Sequence, residues 1–185
     1  FGDGAGAVVL KKAKGKRQKA NPPVPPLVKG GKGEIISIRM HTDGSLGRLI
    51  TLPAASLSIQ KSRGEALPRP PIIHMDGDRV FKHAVRKLEE SIMETLKLNR
   101  LNKSDIELFI LHQANLRILK KVAERLSIPS DKMLVTIDRF GNTSSASIPM
   151  ALDTAVRENK IKKDFLIILA AFGGGLGWGS ALIRW

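Results

Sequence analysis

The sequence predicts an α/β layered fold, and three observations indicate it. Short apolar runs with the length of buried strands alternate with longer segments whose apolar residues recur at helical spacing. Two apolar runs near the C-terminus are separated by a glycine-rich turn, which predicts a terminal hairpin. The hydrophobic content of 42% favours a packed globular chain over disorder. Alternating strands and helices are typical of a sheet covered by helices.

The predicted strands begin near the N-terminus and become dense towards the C-terminus. They fall at residues 4–10, 34–40, 108–111, 133–137, 165–171 and 179–185. Residues 41–72 are rich in Gly, Pro and Ser and predict a loop with at most one short strand. Three glycines at 173–175 predict the turn of the terminal hairpin.

Three helices connect these strands. The first begins near Asp78, with Asp76 or Asp78 as its N-cap. Its apolar stripe is formed by Phe81, Val85, Leu88, Ile92 and Leu96. The second runs from about residue 113 to residue 126, and the third spans 145–158, where a proline is tolerated only near the start. The spacing at 104–107 fits a capping box for at most one helical turn.

Charge and composition narrow the class of protein. The formal net charge is +14, but residues 11–33 hold eight Lys or Arg and no acidic residue, together with four prolines and four glycines. This segment predicts a solvated basic loop, and with aromatic residues at only 4% nucleic-acid binding is the weaker alternative. The chain has no cysteine, which excludes disulfides and thiolate chemistry within it, and no metal site is expected. No segment resembles a membrane span or a signal peptide, so a soluble intracellular protein is expected.

Polar residues at three predicted strand ends raise a question. The apolar run 109–111 stops at His112, Gln113 and Asn115, and buried polar groups cost free energy unless they are hydrogen-bonded. Asn142 and the glycine turn follow two other predicted strands. Ligands of open α/β sheets bind outside the carboxyl ends of strands, so these segments are expected to face one crevice.

Each segment taken singly has an ordinary structural explanation. His112 is explained as a hydrogen-bonded core histidine, Asn142 as a turn residue after Gly141, and the glycines as a tight hairpin. Together they suggest chemistry, because a neutral imidazole and a carboxamide both donate hydrogen bonds without net charge. Directed at one carbonyl oxygen, such donors stabilise an oxyanion or enolate. Glycine lets the backbone approach a ligand closely.

Several motifs together resemble the C-terminal half of β-ketoacyl-[acyl-carrier-protein] synthase III. They are FGDGAGAVVL, HMDGDRVFKHAV, LHQANLRI, DRFGNTSSASIPMALDTA and AFGGGLGWGSALIRW. The resemblance covers residues 1–10 and about 34–185 and implies half of a thiolase-like αβαβα layered fold. On it, residues 1–10 are the last strand of the N-terminal half, 11–33 a basic loop longer than expected, and 34–185 the C-terminal catalytic half.

The resemblance also implies an activity and the residues that carry it out. The family catalyses a decarboxylating Claisen condensation of an acyl-CoA with malonyl-[acyl-carrier protein], which initiates fatty-acid synthesis. His112 and Asn142 match the catalytic donors to the malonyl thioester, and Gly174 matches the backbone oxyanion donor. Phe172 matches the aromatic beside the reacting carboxylate. Two further positions match the lining of the pantetheine tunnel: Asn115 and Gly77.

The resemblance implies partners that this sequence does not contain. The family's nucleophilic cysteine is absent, so a missing N-terminal half or a cysteine-bearing subunit is expected, and the chain alone is expected to be inactive. Coenzyme A and phosphopantetheine thioesters are implied as substrates, without a bound cofactor. A homodimer in the cytoplasm, or in a plastid stroma, is implied for the complete enzyme. Two alternatives stay open: a related thiolase-fold synthase of the polyketide or long-chain type, and a non-catalytic fragment or interaction subunit.

The helix after His112 suggests a docking surface for the acidic acyl carrier protein. Its basic residues share one broad face, opposite an apolar one. We refer to these residues as the basic face: Arg117, Lys120, Lys121 and Arg125.

Overall fold

A computed structural model describes residue 5 and residues 34–52, 59–62, 65–68 and 73–185. The predicted strand at 4–10 and the basic loop at 11–33 therefore lie outside the described residues, apart from Ala5, which is exposed and in no strand.

Strands and helices alternate along the described chain. The strands are β1 Glu34–Thr42, β2 Ile50–Thr51, β3 Ile59–Ser62, β4 Glu65–Pro68, β5 His74–Met75, β6 Leu108–Leu111, β7 Leu166–Gly173 and β8 Gly177–Arg184. The α-helices are α1 Gly77–Leu98, α2 Leu116–Leu126, α3 Ile137–Phe140 and α4 Ser147–Arg157. Short 3-10 helices cover Gly44–Leu49, Lys103–Asp105, Ser130–Lys132 and Ser144–Ala146.

A mixed four-stranded sheet organises the molecule in the order β1-β8-β7-β6. Strands β6 and β7 are parallel, whereas β7 with β8 and β8 with β1 are antiparallel. Gly179 permits the close approach of β1 to β8, because a Cβ there would lie 2.5 Å from the Arg39 carbonyl oxygen. The terminal hairpin predicted from the glycine turn is present.

The two faces of the sheet bury separate apolar clusters, as alternation along the strands requires. One face packs Phe109, Leu111 and Ile168 against helices α1 and α2. The opposite face packs Leu108 and Ile110 against α4, with other members of that cluster. The result is a three-layer arrangement with helices on both sides of the sheet.

Helix α1 forms as the sequence predicts. Asp76 is its N-cap, and its side chain accepts a hydrogen bond from the Arg79 backbone N–H at 3.2 Å. The apolar stripe faces the sheet, with Leu88, Ile92 and Leu96 almost completely buried. At the other end Asn99 donates its amide to the Thr95 carbonyl oxygen at 2.7 Å, which satisfies one of the terminal carbonyls.

The structure corrects three local predictions. Residues 133–137 do not form a strand: a single bridge joins Met133 to Phe109, and helix α3 already begins at Ile137. Helix α2 begins at Leu116 rather than at residue 113. The capping interaction near 104 lies two residues earlier, where the Asp105 carboxylate accepts from the Asn102 backbone N–H at 2.7 Å.

The segment after β1 is more regular than predicted. It contains a 3-10 helix at Gly44–Leu49 and the short strands β2, β3 and β4, instead of at most one strand. Strand β2 pairs with β5, and β3 pairs with β4, so these are local hairpin-like pairings separate from the main sheet. Across the described residues, no helix has the length and apolar character needed to cross a membrane.

Candidate active site at the carboxyl ends of the central strands

The parallel pairing of β6 and β7 places their carboxyl ends side by side. Leu111 is opposite Ala170 in the register, and the His112 backbone N–H donates to the Ala170 carbonyl oxygen at 2.8 Å. Phe172 and Gly173, which end β7, are therefore near neighbours of His112. This is the edge at which ligands of open α/β sheets bind.

A cavity of about 320 Å³ opens at this edge. Its lining includes all six residues predicted for the catalytic centre and the tunnel: Gly77, His112, Asn115, Asn142, Phe172 and Gly174. The structure thus brings together residues that are separated by up to 97 positions in the sequence (174 minus 77). Their roles in catalysis stay predictions.

The rest of the cavity wall is mainly apolar. Helix α1 contributes Val80, Phe81 and Ala84, and Ile50 and Met75 come from the short strands β2 and β5. This composition is typical of a ligand site, which is mostly apolar with a few convergent polar groups. Sequence reasoning missed these residues, although Phe81 belonged to the helical stripe that it identified.

His112 is held by one ring nitrogen. Its Nδ1 lies 2.6 Å from the Ser147 hydroxyl oxygen at the start of α4. Burial lowers the pKa of His112 below the ordinary histidine value, since a charged imidazole loses hydration there. The neutral ring is therefore favoured. Sequence reasoning missed Ser147, whose only signal was a serine in the segment that also carries Asn142.

Asn142 is oriented by its own loop. Its Oδ1 accepts a hydrogen bond from the Ser144 backbone N–H at 2.9 Å. Ser144 has a left-handed φ of 54°, which this turn accommodates. Because the amide oxygen is engaged, the Nδ2 group is the part of the side chain available to donate to a ligand in the cavity.

Gln113, the first of the two amide residues after strand β6, has its side chain hydrogen-bonded within the fold. It is 1% exposed, and its Nε2 donates to the carbonyl oxygens of Leu111 and Leu134 at 2.7 and 3.3 Å. Its Oε1 accepts from the Thr136 backbone N–H at 2.8 Å. Gln113 thus ties the end of β6 to residues 134–136 and leaves little capacity for a ligand.

Asn115 combines two functions. It is the N-cap of α2, where its Oδ1 accepts from the Arg117 backbone N–H at 2.8 Å, and it also lines the cavity. Capping places the amide oxygen on the helix, so the nitrogen is again the free donor.

Gly174 keeps space open between the turn and the cavity wall. A Cβ at this position would lie 3.8 Å from Ile50 Cγ2, an atom of another lining residue. The missing side chain therefore leaves room for a ligand next to the backbone.

The basic face on α2 is partly used by the fold. Arg125 pairs with Glu89 of α1 at 2.5 Å, and Lys121 pairs with Glu124 at 2.6 Å. The Arg117 guanidinium lies 5.3 Å from the centre of the Phe81 ring, which lines the cavity. Lys120 is exposed. Of the four residues, Arg117 is thus tied most directly to the cavity and Arg125 to helix packing.

A second cavity, of about 550 Å³, is also lined by His112 and Phe172. It extends to β1 and β8, where it meets His41, Thr42 and Trp178. The His41 and Trp178 rings stack at 5.8 Å between centroids. Within the described part of the chain, no cluster of three or more His, Asp or Glu side chains is arranged to bind a metal.

The second half of the chain matches a family model. Residues 96–185 match the family described as 3-oxoacyl-[acyl-carrier-protein] synthase III C terminal. Over this segment the chain is similar to the C-terminal part of synthase III. The matched segment contains His112, Asn142 and Gly174, together with the sheet edge on which they lie.

Curated relatives named β-ketoacyl-[acyl-carrier-protein] synthase III match the whole chain. The relative from Alkalilimnicola ehrlichii is 44% identical over 185 residues, which cover 100% of this chain and 51% of that protein. The relative from Serratia proteamaculans is 43% identical over 186 residues, with 100% and 50% covered. The chain therefore spans about half the length of these relatives and corresponds to their C-terminal half.

Solved structures show the same fold. The 3-oxoacyl-[acyl-carrier-protein] synthase III of Aquifex aeolicus has a TM-score of 0.72 and 38% identity, covering 86% of this chain and 46% of that one. The β-ketoacyl synthase III of Thermus thermophilus has a TM-score of 0.74 and 33% identity, covering 86% and 48%. These matches confirm the predicted thiolase-like half.

Proposed function

We propose that this chain supplies the His/Asn half of an enzyme that condenses an acyl-CoA with malonyl-[acyl-carrier protein] and releases CO2. The observation that carries the proposal is the single cavity lined by His112, Asn142 and Gly174. The neutral imidazole and the oriented carboxamide are two uncharged donors that line one mainly apolar cavity. The names of the relatives support the same chemistry.

The donors act where negative charge develops. The bond between the malonyl carboxylate and the methylene carbon breaks, CO2 leaves, and the electron pair moves through the methylene carbon onto the thioester oxygen. Nε2–H of His112 and Nδ2–H of Asn142 stabilise that enolate. The enolate carbon then attacks the acyl-cysteine carbonyl, whose oxyanion is stabilised by the Gly174 N–H. Collapse expels the cysteine thiolate and leaves a β-ketoacyl thioester.

The nucleophile has to come from outside these 185 residues, because they contain no cysteine. We therefore expect no condensation by the chain alone. The test is a hybrid synthase: this chain fused behind the N-terminal half of the Alkalilimnicola ehrlichii relative. Both proteins are assayed for β-ketoacyl product with acyl-CoA and malonyl-[acyl-carrier protein].

The expected result is turnover by the hybrid synthase and none above the blank by the chain alone. A hybrid in which the relative's nucleophilic cysteine is replaced by Ala is the matched control. Product formation by the chain alone would contradict the proposal, and so would a folded hybrid synthase that releases no CO2 from the malonyl thioester. Homodimer formation and cytoplasmic location remain predictions for the assembled enzyme.

The basic face of α2 extends the proposal to the carrier protein. Arg117 packs over Phe81, which lines the cavity. This contact supports a position for the basic face beside the entry of a thioester arm. Acyl carrier protein is acidic, and charges at the rim of an interface mainly change encounter rate and salt dependence. Screening limits their reach to about 8 Å at physiological salt.

Reversing Arg117 and Lys121 to Glu in the hybrid synthase is expected to raise the KM for malonyl-[acyl-carrier protein] roughly fivefold at low salt, given about 0.5 kcal/mol per exposed charge. With malonyl-CoA the KM should change much less. Lys162→Glu with Lys163→Glu is the matched control: the same charge change just before β7, at the opposite end of that strand. Equal losses with both substrates would mean that the basic face supports the fold instead.

A further inference from the structure

Ser147 is a buried serine whose hydroxyl contacts His112. It is the first residue of α4 and is 2% exposed. Its hydroxyl oxygen lies 2.6 Å from Nδ1 of His112 and accepts a hydrogen bond from the Gln113 backbone N–H at 3.2 Å. One buried hydroxyl therefore meets both residues that follow strand β6.

The direction of the bond to His112 follows from counting protons. A hydroxyl has one proton to donate and can accept two hydrogen bonds, whereas a backbone N–H only donates. If Nδ1–H donated to Ser147, the hydroxyl would accept twice and its own proton would need a third partner. Among the described residues, the hydroxyl of Ser147 forms hydrogen bonds with these two groups and no other. When Ser147 donates to an unprotonated Nδ1, its buried hydroxyl is satisfied within the fold. The one donor left without a protein partner is then Nε2–H of His112, a residue that lines the cavity, instead of a hydroxyl that is 2% exposed.

The proton of the neutral ring is then on Nε2. Among the described residues Nε2 has no hydrogen-bond partner, and His112 lines the 320 Å³ cavity together with Asn142. We infer that Ser147 is a positioning residue, which fixes His112 in the Nε2–H tautomer so that its proton is directed to a carbonyl oxygen in the cavity. The inference rests on the proposed function only in naming that oxygen as the malonyl thioester's.

A hydroxyl is suited to this task because it carries no charge. A carboxylate beside Nδ1 would favour the imidazolium and stabilise a charged donor. Ser147 instead accompanies a ring whose neutral form is already favoured by burial. Its place in the first turn of α4 fixes the hydroxyl on a regular element, whereas Asn142 depends on the preceding loop.

The tautomer is measured directly by NMR on the 185-residue chain with ¹⁵N-labelled histidine. A long-range ¹H–¹⁵N correlation spectrum at mildly alkaline pH shows which ring nitrogen carries the proton. The chain has four histidines, and His112→Gln identifies the signals of interest. The expected wild-type pattern is a protonated Nε2 and an unprotonated Nδ1. A proton on Nδ1 would overturn the inference without reference to any variant.

Three variants separate positioning from general stability. Ser147→Ala should give a mixture of both tautomers, and Ser147→Thr should restore Nε2–H because its hydroxyl is retained. Ser91→Ala is the matched control, since it removes another buried serine hydroxyl, 1% exposed, at a different helix. An unchanged tautomer in Ser147→Ala would overturn the inference.

The kinetic consequence is tested in the hybrid synthase. Ser147→Ala is expected to lower kcat for condensation about tenfold with little change in KM, by analogy with the outer partners of metal-binding histidines. Ser147→Thr should recover most of that loss. A tautomer change without loss of kcat would overturn the catalytic part. An inactive wild-type hybrid would count against the proposed function, whereas the NMR result on the chain would stand.

Discussion

Two groups of buried or half-buried polar side chains in this molecule differ in what they leave free. In the first, Ser91, Thr95 and Ser180 join helix α1 to strand β8 by hydrogen bonds of 2.7 to 2.9 Å between their hydroxyls and to the Ser91 carbonyl oxygen. In the second, at the carboxyl ends of the strands, His112 and Asn142 each use one polar atom within the fold. The remaining polar atoms, Nε2 of His112 and Nδ2 of Asn142, have no hydrogen-bond partner among the described residues, and both residues line the cavity.

The difference shows how to separate a structural polar cluster from a chemical one. Burying a polar group costs free energy unless it is hydrogen-bonded. The α1–β8 hydroxyls are fully hydrogen-bonded to one another and to the backbone, which offsets the cost of burying them. Neither of the two cavities described above is lined by Ser91 or Thr95. The strand-end cluster recovers it only in part, so the remaining donors are available to a ligand. Three predictions test this distinction.

The largest expected effect is on the malonyl step. His112→Ala and Asn142→Ala in the hybrid synthase should each slow decarboxylation by about 10²–10³, the usual cost of losing one donor to a developing oxyanion. Release of CO2 from malonyl-[acyl-carrier protein] measures this step. Acylation of the cysteine, followed with radiolabelled acyl-CoA, should persist because it depends on the Gly174 N–H. Ser91→Ala should change neither rate.

Loss of acylation in both variants would contradict this assignment. It would place His112 and Asn142 with the α1–β8 hydroxyls, as residues that hold the fold together. A decrease in decarboxylation that equals the decrease caused by Ser91→Ala would lead to the same conclusion.

The cavity lining was more predictable than some of the local structure. His112 and Gly174 follow apolar runs that clearly predict strands. Asn142 lies in a motif that resembles the family's. The strand predicted at 133–137 is wrong because the chain makes one bridge with Phe109 and then turns into α3. The length of an apolar run does not show how many of its residues pair with the adjacent strand.

Long-range partners could not be predicted from the sequence. Helix α2 begins after residue 113 because Gln113 is committed to Leu134 and Thr136, more than twenty residues away. Ser147 lies 35 residues from His112, and no local pattern links them. The short strands β3 and β4 lie in a segment whose Gly, Pro and Ser content favoured a loop, and they form a local pair separate from the main sheet.

The second prediction concerns Gln113, which follows His112 but has its polar atoms satisfied by the fold. Gln113→Leu should lower the free energy of unfolding by about 2–4 kcal/mol, because it leaves the Thr136 N–H and two carbonyls without their partner. Urea unfolding of the 185-residue chain measures it. Ser91→Ala should cost about 1 kcal/mol. Equal costs for the two variants would mean that residues 134–136 are held by other contacts.

The smallest expected effect is a pH dependence that belongs to His112. Burial lowers its folded-state pKa below the 6.5 of an ordinary histidine. The unfolded chain therefore binds this proton more readily than the folded one, and stability falls as pH decreases below about 6.5. The loss stops growing once the pH is below the folded-state pKa, where both states are protonated.

His112→Gln should flatten this part of the stability profile, measured as the urea midpoint between mildly alkaline and mildly acidic pH. His74→Gln is the matched control, because it removes a histidine that is exposed and lies outside the cavity. A slope that His112→Gln does not reduce would show that the ring is hydrated in solution and is not held neutral by burial. In that case the desolvation cost of the His112 ring would be small. The contrast with the α1–β8 hydroxyls would then rest on hydrogen bonding alone.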